Sequence, residues 1–274
     1  MTWTGVLPQT SLRPLTGPDL EEFRRTIEDT PLNAELLGSL NSGRSRVFVS
    51  GGRGSGRVAL VDNGWDQDEP TAVGTDAEGI WNLLRQYSGW TCVGGLQRPV
   101  AEQLAEIFRR ELGVEPAFKA GVLFVLNRPA IPHTSPHVRS LTARDVGLID
   151  EAPPGILGPY RQGADLLAQA RVAAGVVDGR IVGWMVSGGW TPRYAGIGGH
   201  VVETWRNQGI GSAAAFLLAW EAQQEGRAPV WSTGEDNARS QHVARKLGFE
   251  EIGRDWYVVI PGLWKAGGFA PRPG

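Results

Sequence analysis

Residues Arg206–Gly211 read RNQGIG, and their neighbours decide the fold. The stretch Tyr194–Val202 before them reads as a strand, and about 210–225 after them reads as a long helix. A loop at a helix amino terminus presents unpaired backbone N–H groups and the positive end of the helix dipole, so it suits a pyrophosphate. Glycine at 209 and 211 removes side chains that would hold phosphates away and permits unusual dihedrals. Glycine-rich helix starts also arise from tight packing alone, so this motif by itself fits either reading.

Working outward, a short strand is expected at Pro229–Ser232, and NARSQHVARKLGF at Asn237–Phe249 then reads as a second helix, with Asn237 as a good N-cap. A last strand is expected near Trp256–Ile260. Upstream, strands are expected at Val138–Leu141, Val172–Val177 and Ile181–Ser187, with a hairpin turn at Asp178–Gly179. Thr142 with Asp145 has capping-box spacing, and a helix is expected near Ala164–Ala170. The order of this half is β-α-α-β-β-β-α-β-α-β, an α/β (α+β) pattern with a mixed sheet.

The segment Asn127–His137, NRPAIPHTSPH, has three prolines and is expected to be a linker between residues 1–126 and 138–274. His133 and His137 lie among those prolines and cannot share a helix face as metal ligands. The first half is also α/β, with strands expected at Arg46–Ser50, Arg57–Asp62, Trp90–Gly94 and Gly121–Leu126, and helices at Asp76–Tyr87 and Val100–Leu112. Its GGRGSGR, Gly51–Arg57, stands between two strands and reads as a hairpin loop, since a dinucleotide fingerprint opens a helix.

The formal net charge is −2, which gives no broad attraction to nucleic acid or anionic lipid. A small-molecule partner is expected. The single cysteine, Cys92, excludes an intrachain disulfide, sits in an apolar run as a structural thiol, and makes a cytoplasmic location the simplest expectation. Neither an export signal at Met1–Leu15 nor a run of about 18 apolar residues is read.

The pairing of strand–RxxGxG–helix with strand–NxxS–helix–KLGF, over about 138–260, resembles the GNAT superfamily of acyl-CoA-dependent N-acyltransferases. The resemblance implies a GNAT fold in the carboxy-terminal half and acyl transfer to a small-molecule amine, with acetyl-CoA or another acyl-CoA as cosubstrate and no metal. It also implies that backbone amides around Gln208, Gly209, Gly211 and Ser212 hold the coenzyme pyrophosphate. Backbone groups of Val201 and Glu203 would pair with the pantetheine arm, side chains of Asn237 and Ser240 would touch the coenzyme, and Arg206, Arg245 and Lys246 would neutralise phosphate. The whole chain resembles the glycine N-acyltransferase-like subgroup, in which a degenerate GNAT-like half without a coenzyme site precedes the active one.

The catalytic pattern of the family is not complete here. The place of its usual acid, a tyrosine on the last helix, is Ala244, and the places of its strand-borne bases are Ala195 and Ile197. Substitute candidates are His200, Glu203, Glu235, Asp236 and Tyr257, with Glu203 first. The competing expectation is a module that binds acyl-CoA without turning it over.

Overall fold

The computed structural model describes residues 12–50, 57–64, 68–153 and 155–263. In chain order the elements are α1 (Gly17–Thr26), α2 (Ala34–Asn41), β1 (Arg46–Ser50), β2 (Val58–Asp62), β3 (Thr71–Val73), α3 (Ala77–Leu84), β4 (Cys92–Leu96), α4 (Arg98–Leu112) and β5 (Ala117–Val125). They continue with β6 (Val138–Ser140), α5 (Val146–Asp150), α6 (Gly163–Gln169), β7 (Ala170–Val177), β8 (Arg180–Gly188), β9 (Tyr194–Gly196), β10 (Gly198–Val201), α7 (Ile210–Gln224), β11 (Ala228–Gly234), α8 (Ala238–Lys246) and β12 (Glu250–Val259). Among the described residues, no helix is long and apolar enough to cross a membrane.

The chain folds into two compact units that differ from the expected linear halves. The first draws on 12–27, 43–121 and 254–263; the second on 28–42 and 122–253. Burial explains the exchange of segments. Val258 and Ile260 are buried with Trp90, Val93 and Phe108 in the first unit, where β12 pairs antiparallel with β4. Ala34 of α2 is buried with Val125, Tyr194 and Val230 in the second. The proline-rich 127–137 segment, without helix or strand, lies inside the second unit instead of marking its edge. There the Ala130 N–H donates to Gln223 Oε1 at 3.1 Å, and the Ile131 N–H donates to the Leu247 carbonyl at 3.0 Å.

In the first unit β1, β2 and β3 pair antiparallel in turn, and β3 runs parallel to β4. α3 and α4 cover one face through Ile80, Leu84, Leu104 and Phe108. Cys92 is fully buried, as a structural thiol. The β1–β2 pairing fits the expected hairpin, although residues 51–56 of its Gly51–Arg57 loop lie outside the described residues. Strand β4 begins two residues later than expected because Trp90 instead turns its ring into the core, its Nε1–H donating to the Leu84 carbonyl at 2.9 Å. Helices α1 and α2 and strand β3 were not read from the sequence. α1 buries only Phe23, so it carries no apolar stripe.

From residue 138 onward the elements follow the expected order except at one strand. β6, β7, β8 and β10 form an antiparallel sheet in the order β10-β8-β7-β6. Asp178 and Gly179 both take positive φ, as a two-residue hairpin turn requires. The Thr142–Asp145 capping box forms. The expected single strand Tyr194–Val202 is divided at Ile197. β9 pairs parallel with β11, while β10 leaves it and pairs antiparallel with β8. A Cβ at Gly199 would clash with the Trp184 carbonyl oxygen, so glycine there permits the close pairing with β8.

A fully satisfied polar cluster locks the first unit. Asp62, 1% exposed, accepts from Arg46 Nε and Nη2 at 3.0 and 2.6 Å, from the Tyr87 hydroxyl at 3.0 Å and from the Gly64 N–H at 2.9 Å. Burial, and then the neighbouring carboxylate, push the Tyr87 hydroxyl well above its ordinary pKa, so it remains a donor throughout the neutral range. Asp62→Ala removes the acceptor that these donors share and is expected to lower stability by about 1–3 kcal/mol, against about 1 kcal/mol for Tyr87→Phe. Urea denaturation followed by tryptophan fluorescence measures both, and equal losses would show that the Asp62 carboxylate is not the hub.

Candidate coenzyme and active site

The site grows from the seating of α7. Ile210, its first residue, is 2% exposed, and its side chain fills space left by two strand glycines. A Cβ at Gly175 or Gly183 would stand 2.6 or 3.0 Å from Ile210 Cγ2. Gly211 closes the contact on β10, since a Cβ there would stand 3.2 Å from Val201 Cγ2. A row of alanines, Ala213, Ala214, Ala215 and Ala219, lets the helix lie close on β7 and β8. The amino terminus of a 15-residue helix is thereby fixed at the end of β10.

The two glycines of the motif therefore do different work. Gly209 is the N-cap, with φ +79, and a Cβ on it would meet nothing within 4 Å. It is there for its backbone conformation and leaves open space over the helix end. Asn207 is also left-handed, with φ 64. Gly211 also allows close helix–strand packing, since a Cβ on it would press on Val201. The first helical bond returns from the Ala213 N–H to the Gly209 carbonyl, so the amides of Ile210, Gly211 and Ser212 have no partner within the helix. No acidic residue stands in the first turn. Gln208 is exposed at the loop, and Ser212 is buried beneath it.

Strand β10 offers a free edge beside this loop. His200 is opposite Trp184 and Val201 opposite Gly183, and the Val202 N–H donates to the Val182 carbonyl at 3.0 Å. Hydrogen-bonded and non-bonded pairs alternate along an antiparallel ladder, so Gly199 and Val201 turn their backbone groups away from β8. The outward carbonyl of Val201 accepts from Arg206 Nε at 3.2 Å. Arg206 Nη1 is also 3.7 Å from Glu203, whose side chain is 86% exposed on a short 3-10 turn.

His200 is half-buried, its ring 5.6 Å from that of Trp184 and tilted by 47°. Burial first, and then the positive Arg206, push its imidazole below the ordinary value, so it is neutral at pH 7. Trp184 is 1% exposed, and its indole N–H has no acceptor.

The structure thus gathers His200, Val201, Glu203, Arg206, Gly209, Gly211 and Ser212 around one strand end. Asn237 and Ser240 form a separate pair at the start of α8. Asn237 Oδ1 caps the Ser240 N–H at 3.1 Å, and Ser240 Oγ accepts from Trp231 Nε1 at 3.0 Å. Arg245 and Lys246 are on the last turn of that helix, where Arg245 covers the Phe124 ring and meets Glu251. Glu235 and Asp236 are exposed in the loop before Asn237. Tyr257 belongs to the first unit, its ring filling the space beside Gly94. Ala244 is fully buried with Trp231, Leu247 and Phe249. Sequence reasoning did not single out Trp184 or the Gly175–Gly183–Ile210 seat, and only the two glycines inside otherwise apolar strands hint at it. Among the described residues no three His, Cys, Asp or Glu side chains are grouped as metal ligands.

Two neighbouring strands that part beside a glycine-opened helix define the class: an α/β domain with a mixed sheet and a helix terminus whose free amides suit an anion. Residues 151–249 match the profile of the Acetyltransferase (GNAT) family. No curated protein matches the chain significantly. Among solved structures, a GCN5-related N-acetyltransferase-like protein from Streptococcus suis is similar at 16% identity and a TM-score of 0.63, over 88% of this chain and 98% of that one. A GNAT-family acetyltransferase from Colwellia psychrerythraea is similar at 12% identity and a TM-score of 0.58, over 91% and 99%. A tandem GNAT protein from the clavulanic acid biosynthesis pathway is similar at 15% and 0.53, over 90% and 97%, in keeping with a two-half α/β architecture.

The different roles of the motif glycines are separable. Gly209→Ala is expected to fold with a loss of about 1 kcal/mol, the left-handed penalty for a side chain, while distorting the loop. Gly211→Val drives branched carbon into Val201 and is expected to lose about 1–3 kcal/mol through overpacking. Thermal denaturation of both variants checks this, and a Gly211→Val protein as stable as wild type would contradict the packing role.

Proposed function

We propose that the second unit binds an acyl-CoA, most simply acetyl-CoA, and transfers its acyl group to a small-molecule amine. The observation that carries this reading is the parting of β9 and β10 at Ile197, which leaves the outward edge of β10 ending at the amide cradle of α7. A pantetheine arm carries amides and can pair with the Val201 edge as an added strand, continuing toward Glu203. The pyrophosphate then meets the amides at Gln208, Gly209, Gly211 and Ser212. Asn237 and Ser240 are proposed to meet the rest of the coenzyme at the start of α8. Arg245 and Lys246 are not placed in this set, because they are at the far end of that helix. The first unit is proposed to hold no coenzyme, so calorimetric titration should saturate at one acetyl-CoA per chain, and two would overturn that assignment.

In the proposed reaction the amine nitrogen attacks the thioester carbonyl carbon. Collapse of the oxyanion then breaks the C–S bond, and the thiolate leaves and takes up a proton. Thiols near pKa 8.5 make tolerable leaving groups, so water can supply that proton where Ala244 replaces the usual acid. An alkylamine is mostly protonated at neutral pH, so a base that removes its proton accelerates attack. Glu203 and His200 are the two proposed bases. The strong exposure of Glu203 and its pairing with Arg206 keep it well solvated, whereas His200 is half-buried and neutral. These observations favour His200.

With the His200 pKa lowered, the imidazole becomes protonated only as pH falls below its ordinary value of about 6.5. The acid limb of kcat/KM should therefore lie below that pH and disappear in His200→Gln, with a loss of roughly 10²–10⁴-fold at neutral pH. Glu203→Gln should retain most activity. The reverse pattern would return the role to Glu203.

The buried Ala244 supports a second reading, in which the unit binds acyl-CoA without consuming it. Release of free thiol from acetyl-CoA across a panel of amines separates the two, since a pure binder releases none.

A further inference from the structure

We infer that the second unit carries a separate binding site for an α-amino acid with an apolar side chain, in the hollow where β6 ends. The inference does not depend on the coenzyme reading. β6 is only 3 residues long, and the Leu141 N–H that follows it donates to the Val172 carbonyl at 2.8 Å. Beside that bond a cavity of about 460 Å³ opens between β7, α5 and α6, within the range of about 300–1,000 Å³ usual for small-molecule sites. Its apolar walls are Leu141, Val146, Ala164, Leu167, Ala168 and Val172. Ala164, Leu167 and Ala168 share one side of α6 by their three- and four-residue spacing, and the two alanines leave the hollow unfilled. Glu221, which also lines it, is roughly 16 Å along α7 from Ile210 at about 1.5 Å per residue, so the hollow is apart from the glycine loop.

The charged groups of the hollow define the ligand. The Glu221 side chain is 17% exposed, and its Oε1 accepts from the Ser140 hydroxyl at 2.6 Å. Its Oε2 is 3.5 Å from Arg171 Nη1, longer than the about 2.7–2.9 Å of a charge-assisted hydrogen bond. Arg171 is oriented by other partners, since its Nη2 donates to Glu225 and its guanidinium lies over the Trp190 ring at 5.6 Å. Glu225 is paired in turn with Arg227. A held carboxylate and a held guanidinium thus stand side by side at an apolar hollow without closing on each other. The two acids balance the two arginines, so a ligand of single charge meets repulsion as well as attraction. A zwitterion escapes that conflict: its ammonium donates to Glu221 Oε2, its carboxylate accepts from Arg171 Nη1, and its side chain enters the hollow.

Calorimetric titration of the full chain with L-leucine tests the site. Leucinamide lacks the carboxylate, isocaproate the ammonium and glycine the side chain. Leucine is expected to bind, and each analogue to bind about tenfold or more weakly, the worth of one charge-assisted hydrogen bond or of the buried side chain. Glu221→Gln and Arg171→Met should each weaken leucine by about tenfold or more. Ala168→Phe fills the hollow from an exposed helix position and should abolish leucine binding while the thermal unfolding midpoint stays close to wild type. That variant carries the decision if the loss of Glu221 or Arg171 unfolds the protein. If wild type does not bind leucine, if the analogues bind as tightly as leucine, or if leucine binding survives Ala168→Phe, the hollow is not an amino-acid site and the inference is wrong.

Discussion

The seating of Ile210 between Gly175 and Gly183 is the constraint on which the candidate site depends. Two glycines open a slot in the antiparallel sheet, one β-branched side chain fills it, and the helix behind that side chain has no freedom to slide. Gly211 then brings the helix start against Val201. A helix terminus is of use as an anion site only where it is held, and packing against the sheet holds the start of α7. Loop, strand edge and helix terminus are three consequences of one close contact.

The same economy governs the strand that leads into the loop. Between Tyr194 and Val201 the chain passes from β11 as partner to β8 as partner, so each half strand keeps one satisfied edge and exposes the other. An exposed edge is usually a liability in a protein. In this domain the Arg206 side chain covers the Val201 carbonyl, which satisfies an acceptor that would otherwise depend on solvent or ligand.

The reaction proposed for the site places modest demands on its side chains. Holding amine and thioester in line contributes more than any single proton transfer, and thiolate leaves readily. That is compatible with a chain in which the tyrosine place is filled by a buried alanine packed among Trp231, Leu247 and Phe249. His200 keeps its neutral form because the sheet and Trp184 shield it from water and Arg206 opposes a second positive charge.

The sequence by itself determined the α/β class, the element order from residue 138 onward apart from one divided strand, the helix-opening glycine loop, the capping box at Thr142 and the cap at Asn237. These are local: periodicity, turn chemistry and capping act over a few residues and are written in consecutive positions. The tertiary structure alone decided that 28–42 belongs with the second unit and 254–263 with the first, because burial of Ala34, Val258 and Ile260 joins residues far apart in the chain. It also decided that Tyr194–Val202 is two strands, that Gly209 answers to a dihedral and Gly211 to a neighbour, and that Arg206 rests on Val201. A side chain's partner across a sheet or under a helix depends on register and close packing, which pattern along one strand of sequence does not encode.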